Sequence, residues 1–171
     1  MPWPLAAARD PFTGVRIATG VIQGLALAAG RPVIDISTLA SLAQSRADTH
    51  HQVIAAIDAR MHEVYWGCYR RDDSGCMELL NEERVCAPAE VPVPPAGDWL
   101  AAGSGWTSYG DILQQKLTPL TLTVDADAWP RAAATVRLAA ARMDAGDSVA
   151  AAEARPVYLR DNVIQVTGNK H

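Results

Sequence analysis

The chain has 171 residues, 49% of them apolar and 20% charged, with a formal net charge of −4. That is the composition of a globular protein able to bury a core of its own, and it excludes disordered and fibrous classes. The acid excess leaves no basic footprint with which the chain could grip nucleic acid unaided.

Residues 1–11 carry three prolines and read as an irregular lead-in. From Thr13, read as a cap, the residues Val15, Ile17, Ala18, Val21, Ile22, Leu25 and Ala28 recur at helical spacing until Gly30 stops the run. Gly20 and Gly24 lie four apart on one helical face, and each costs about 1 kcal/mol in helix propensity. That cost points to another helix or backbone approaching closely there. Arg31-Pro32 opens a short apolar strand, Val33–Ile36, and Ser37 or Thr38 caps a second helix to about Arg46. The polar stretch Ser45–Gln52 reads as a hinge.

The periodicity then changes. Val53–Ile57 is a continuous apolar strand, Asp58–His62 a turn, and Glu63–Tyr69 the alternating return strand. Arg71–Gly75 is a turn signal, and Cys76–Val85 reads as a third antiparallel strand. Ala87–Pro95, with four prolines, is a loop. Trp99–Ala102 is a strand ending in Gly103-Ser104-Gly105, residues 107–116 a helix, Leu120–Val124 a strand, and Trp129–Met143 an amphipathic helix closed by Gly146. The fold class is α/β, with an antiparallel meander followed by helix–strand–helix. Residues 1–50 read as part of a separate lobe, 51–128 as a second lobe, and 129–171 as a C-terminal helix and tail. The lone strand of 1–50 needs partners to make a sheet.

Three cysteines, Cys68, Cys76 and Cys86, are an odd number without Cys-x-x-Cys spacing, so they read as reduced small hydrophobes. No apolar run reaches the roughly 18 residues of a membrane span, and residues 1–10 lack the basic start and apolar stretch of a signal peptide. A cytoplasmic protein without membrane contact is expected. His50-His51 beside Asp48 read as a solvated hinge rather than a surface metal site, and no His-x-x-x-His pair exists. Asp58, Arg60 and Glu63 cluster at a hairpin tip, where the carboxylates could do acid–base work or simply satisfy the turn. Gly103-Ser104-Gly105 sits between a strand and a helix, where backbone N–H groups can cradle an anion; a tight turn is the plainer reading. Ser37, Ser41, Ser45 and Ser104 have no histidine at suggestive spacing. On the first helix, the semi-polar face of Arg16, Thr19, Gly20, Gln23, Gly24 and Leu27 suits a helix–helix dimer seam, the rival reading being packing within its own lobe.

Several motifs in joint order carry a family resemblance: Phe12-Thr13-Gly14-Val15-Arg16-Ile17, Gln23-Gly24-Leu25-Ala26-Leu27, Pro32-Val33-Ile34, Ala55-Ala56-Ile57-Asp58-Ala59-Arg60-Met61, Glu63-Val64-Tyr65-Trp66, Gly103-Ser104-Gly105-Trp106 and Pro156-Val157-Tyr158-Leu159-Arg160. From about residue 12 to residue 163 the chain resembles the TsaB (YeaZ) family. The resemblance implies an actin/Hsp70/sugar-kinase-like fold of ribonuclease H-like lobes, and work in making threonylcarbamoyladenosine on tRNA. It further implies a non-catalytic subunit that pairs through its N-terminal lobe with a TsaD-type paralogue, with a TsaE-type ATPase completing the complex. ATP and metal are then expected on the partner subunits, no cofactor on this chain, and tRNA is met only indirectly. Where the paralogue carries its metal-binding His-x-x-x-His, this chain has Thr38 and Leu42. Family members open with an Asp-Thr strand, a hairpin and a long helix that this chain lacks, and Ala8-Arg9-Asp10-Pro11 replaces the usual Gly-Pro-Gly-Ser. The N-terminal lobe is therefore expected to be incomplete. Two rivals remain: a nucleotide-dependent or hydrolytic, glycoprotease-like enzyme using Asp58 and the 103–105 turn, and a self-associating chain, such as a homodimer.

Overall fold

The computed structural model describes residues 11–159, which divide into two units, 11–35 with 142–157 and 36–141 with 158–159. The larger unit is organised by a long hairpin. Its first strand, β1 (Gln52–Arg60), pairs antiparallel with β2 (Glu63–Arg71), from Gln52 opposite Arg70 to Asp58 opposite Val64, with a register shift before Arg60. The short strands β3 (Met77–Leu79) and β4 (Arg84–Cys86) both pair antiparallel with β2. On the other side of β1, β5 (Asp98–Ala102) runs parallel to it and β6 (Thr121–Asp125) runs parallel to β5. The sheet order is therefore β3-β2-β1-β5-β6, a meander extended by two parallel strands.

The apolar run at the centre of β1 follows from its position in the sheet, because a central strand covered on both faces has no polar side. Val53 and Ala55 face one core with Leu39, Leu42 and Ala43 of α2 (Thr38–Gln44), while Ile54 and Ala56 face the other with Trp106, Leu113 and Leu117 of α3 (Gly105–Lys116). As expected, Ser37 caps α2: its Oγ accepts the Leu39 and Ala40 N–H groups at 3.1 and 3.4 Å. Residues Ser45–Gln52, expected as a hinge, instead pack inside this unit. Arg46 Nε donates to Asp125 Oδ2 at 2.8 Å, and Ala47 is fully buried. Cys68 is buried, which pushes its thiol up to about 12, whereas Cys76 and Cys86 are half-buried.

The third strand departs from expectation. In place of one strand over Cys76–Val85, the pairing with β2 slips by two residues between Leu79 and Arg84. The slipped segment frees Glu83, whose Oε1 accepts the hydroxyls of Tyr69 and Ser37. Tyr69 is only 1% exposed, and burial together with the Glu83 carboxylate raises its hydroxyl well above the usual range. Gly67 makes room for the ring, because a Cβ there would lie 2.8 Å from a Tyr69 ring carbon. Removing the hydroxyl in Tyr69→Phe should cost about 1–2 kcal/mol, since the carboxylate loses one of its two donors. A urea midpoint equal to that of the parent chain would show that Glu83 does not hold the strand slip in place.

In the smaller unit, α1 (Pro11–Ala29) ends at Gly30, whose φ of +59° suits a residue without a Cβ. Thr13, expected as the cap, lies inside α1, which opens with Pro11 at a first-turn position where the missing N–H costs nothing. Nor is Val33–Ile36 a strand. Val33 makes a single antiparallel bridge with Val149, exchanging two N–H···O bonds of 2.9 Å, and no described strand extends the ladder. Val33 and Ala154 bury Ala26 between them, and Gln23 Nε2 donates to the Ala154 carbonyl at 2.8 Å. The last helix, α4 (Ala132–Asp144), begins in the larger unit and ends in the smaller. No helix among the described residues is long and apolar enough to cross a membrane.

Candidate functional site

Two segments singled out in the sequence, the hairpin tip at Asp58–Glu63 and the turn at Gly103–Gly105, meet in the fold. The Asp58 N–H donates to Ser104 Oγ at 3.2 Å. Its carboxylate accepts the Arg60 N–H at 2.8 Å, the Arg60 guanidinium at 3.3 Å and Ser108 Oγ at 3.4 Å. Desolvation raises the Tyr109 hydroxyl, and the charge and hydrogen bond of Asp58 raise it further. Tyr109 itself breaks the helical path of α3, with φ −137° and ψ 22°. Asp58 thus ties the end of β1 to the start of α3, and its acceptor oxygens are already engaged by the turn.

β1 also runs further than the sequence suggests, so the expected five-residue turn shrinks to Met61-His62. The shorter connection forces Arg60, Met61 and His62 into successive positive φ values of 61°, 54° and 60°. Left-handed backbone is costly for residues with a Cβ, at roughly 1 kcal/mol or more each. The bond from the Arg60 N–H to Asp58 holds the first of the three. His62→Gly should therefore raise stability by about 1 kcal/mol, read as a higher melting temperature. A lower one would mean that the His62 side chain contributes more than its backbone costs.

The Gly103–Gly105 turn is shaped by packing. Gly103 has φ +105°, and a Cβ there would lie 2.5 Å from the Ala56 carbonyl oxygen; at Gly105 the same atom would lie 3.0 Å from the Ala56 backbone. The Gly103 N–H donates to the Asp125 carbonyl at 3.0 Å, and the Trp106 N–H to the Gly103 carbonyl at 3.1 Å. Ser104 Oγ already accepts from Asp58. The geometry is that of a tight strand-to-helix turn.

The face of α1 expected to form a seam is divided by the structure. Thr19 and Gln23 are half-buried, with Thr19 Oγ1 on the Val15 carbonyl at 2.9 Å and Gln23 on Ala154. Arg16, Gly20, Gly24 and Leu27 are exposed, Leu27 at 75%. At Gly20 and Gly24 an added Cβ would meet no heavy atom within 4 Å. Ile17, Val21 and Leu25, which the periodicity assigns to a covered face, are also exposed among the described residues.

Sequence reasoning missed a shallow cavity of about 380 Å³, bordered by Asp48, His51, Arg71, Asp73 and Arg137. Its members come from a turn, a strand end, a loop and a helix, so no local motif announces it. Arg137 Nη1 bonds Asp48 at 3.0 Å, and Arg71 bonds the Ala47 carbonyl and His51 Nε2, the latter at 2.6 Å. Asp72 beside them is held below the usual carboxylate range by the Ser74 hydroxyl and the Cys76 N–H. Asp48 and Arg137 thus pair with each other, while Arg71 is held by a carbonyl and a histidine rather than by a carboxylate. Among the described residues, no group of three His, Cys, Asp or Glu side chains could hold a metal ion.

Comparison with known proteins places these features. A family model described as TsaD, tRNA N6-adenosine threonylcarbamoyltransferase, matches residues 6–167. An Escherichia coli K12 protein named tRNA threonylcarbamoyladenosine biosynthesis protein TsaB is 41% identical over 166 residues, covering 93% of this chain and 71% of that protein. The chain belongs to the TsaB (YeaZ) family. A Haemophilus influenzae TsaB is 36% identical over 172 residues, with 93% and 70% covered. Among solved structures, YeaZ from Pseudomonas aeruginosa aligns with a TM-score of 0.78 at 45% identity, over 87% of this chain and 70% of that one. A second Pseudomonas aeruginosa structure, described as an uncharacterized protein similar to peptidase YeaZ, aligns at 0.79 and 44%, over 88% and 69%. The actin/Hsp70-like fold expected of a TsaB-family chain accords with the meander-plus-parallel order of the sheet. Of the two positions where the resemblance sets the paralogue's metal-binding histidines, Thr38 opens α2 and Leu42 is completely buried in an apolar core.

Proposed function

We propose that this TsaB-family chain serves tRNA threonylcarbamoyladenosine biosynthesis in the cytoplasm as a non-catalytic subunit, pairing with a TsaD-type catalytic subunit through α1. The observation that carries the proposal is the state of Gly20 and Gly24. Two glycines in mid-helix cost about 1 kcal/mol each, they sit on an exposed face, and no described residue of this chain comes near enough to need them. Glycines at that spacing let a second helix approach closely, and exposed Leu27 beside them supplies an apolar anchor. Metal and ATP chemistry falls to the TsaD-type and TsaE-type partners, and tRNA is reached through the complex.

The non-catalytic role is supported by what the residues of an enzymatic reading are doing. Asp58 and Ser104 bind each other and the hairpin backbone, and Gly103 and Gly105 are pressed against Ala56. Size-exclusion chromatography with light scattering, on the chain alone and mixed with the TsaD-type paralogue from the same source, tests the pairing. A one-to-one complex is the expected result. A chain that forms only homo-oligomers, with or without the paralogue, would overturn it in favour of self-association.

A further inference from the structure

We draw no further inference here: the strongest candidate, the exposed apolar stripe that runs from Trp129 onto α4 through Ala133, Val136 and Ala140, carries nothing because nothing in the structure shows what covers it.

Discussion

Replacing Gly20 and Gly24 together with alanine is expected to raise the stability of the isolated chain while weakening its complex with a TsaD-type subunit. Both halves of the result follow from one observation. Neither glycine has a positive φ, and neither has a heavy atom within 4 Å of where a Cβ would stand. Alanine therefore fits without strain and removes the backbone entropy that glycine loses on helix formation, worth about 0.5–1 kcal/mol per site. For a chain of this size the pair should shift the melting temperature upward by several degrees, at roughly 2–4 °C per kcal/mol. In a close helix–helix contact the same two methyl groups would hold the backbones apart. Overpacking costs about 1–3 kcal/mol, which corresponds to roughly a 5- to 150-fold rise in Kd. Calorimetric titration of the double variant against the TsaD-type subunit reads the second effect, and a melting curve the first. A variant that is stabilised yet binds with unchanged affinity would exclude this face from the contact. Leu27→Asp gives an independent check, because at 75% exposure the charge is tolerated by the free chain but not inside an apolar seam.

The face of α1 also shows where sequence reading stops. Helical spacing located α1 to within three residues at its start, and Gly30 marked its end. Periodicity gives two faces without saying which neighbour covers either. The contact that settled Gln23 comes from Ala154, 131 residues away. Continuous apolar character identified β1, because burial on both faces writes itself directly into residue order; β2 was found by alternation at its start, although Trp66, Cys68 and Tyr69 bury both of its faces. Val33–Ile36 has the same apolar signature, but a strand exists only where a partner offers a ladder, and Val149 offers a single bridge. The break between β3 and β4 was hidden for a similar reason. Glu83 leaves the ladder to reach Tyr69 and Ser37, and nothing in the local sequence announces acceptors or donors 14 and 46 positions distant. At the hairpin tip, the absence of glycine from Arg60-Met61-His62 concealed a left-handed turn that glycine would normally signal. The meeting of Asp58 with Ser104 is the clearest case: each was visible alone as a candidate, and only the parallel pairing of β1 with β5 joined them.

Among the described glycines, Gly103→Ala should be the most damaging substitution, and the reason decides what the Gly103–Gly105 turn is for. At φ +105° a residue with a Cβ is strained by roughly 1–3 kcal/mol. The added carbon would also stand 2.5 Å from the Ala56 carbonyl oxygen and 2.8 Å from a methyl of Leu42, both inside the buried sheet and α2 packing. Displacing backbone in the middle of β1 adds an overpacking cost of about 1–3 kcal/mol. Against a total stability of roughly 5–15 kcal/mol, the urea midpoint should fall steeply or the chain should fail to accumulate. Gly110→Ala is the matched control. Gly110 lies in α3 without a positive φ, and its nearest neighbour would be the mobile end of Gln114 at 3.7 Å, so alanine there should be neutral or slightly stabilising. The two readings of the turn separate once phosphate is added. If Gly103 serves close packing, its loss destabilises the chain equally with and without phosphate, and phosphate leaves the melting temperature of the parent chain unchanged. An anion cradle would instead stabilise the parent as phosphate rises, by mass action on the folded state, and the Gly103→Ala defect would widen with it. Because the Gly103 and Trp106 N–H groups already donate to carbonyls within the chain, the first outcome is the expected one.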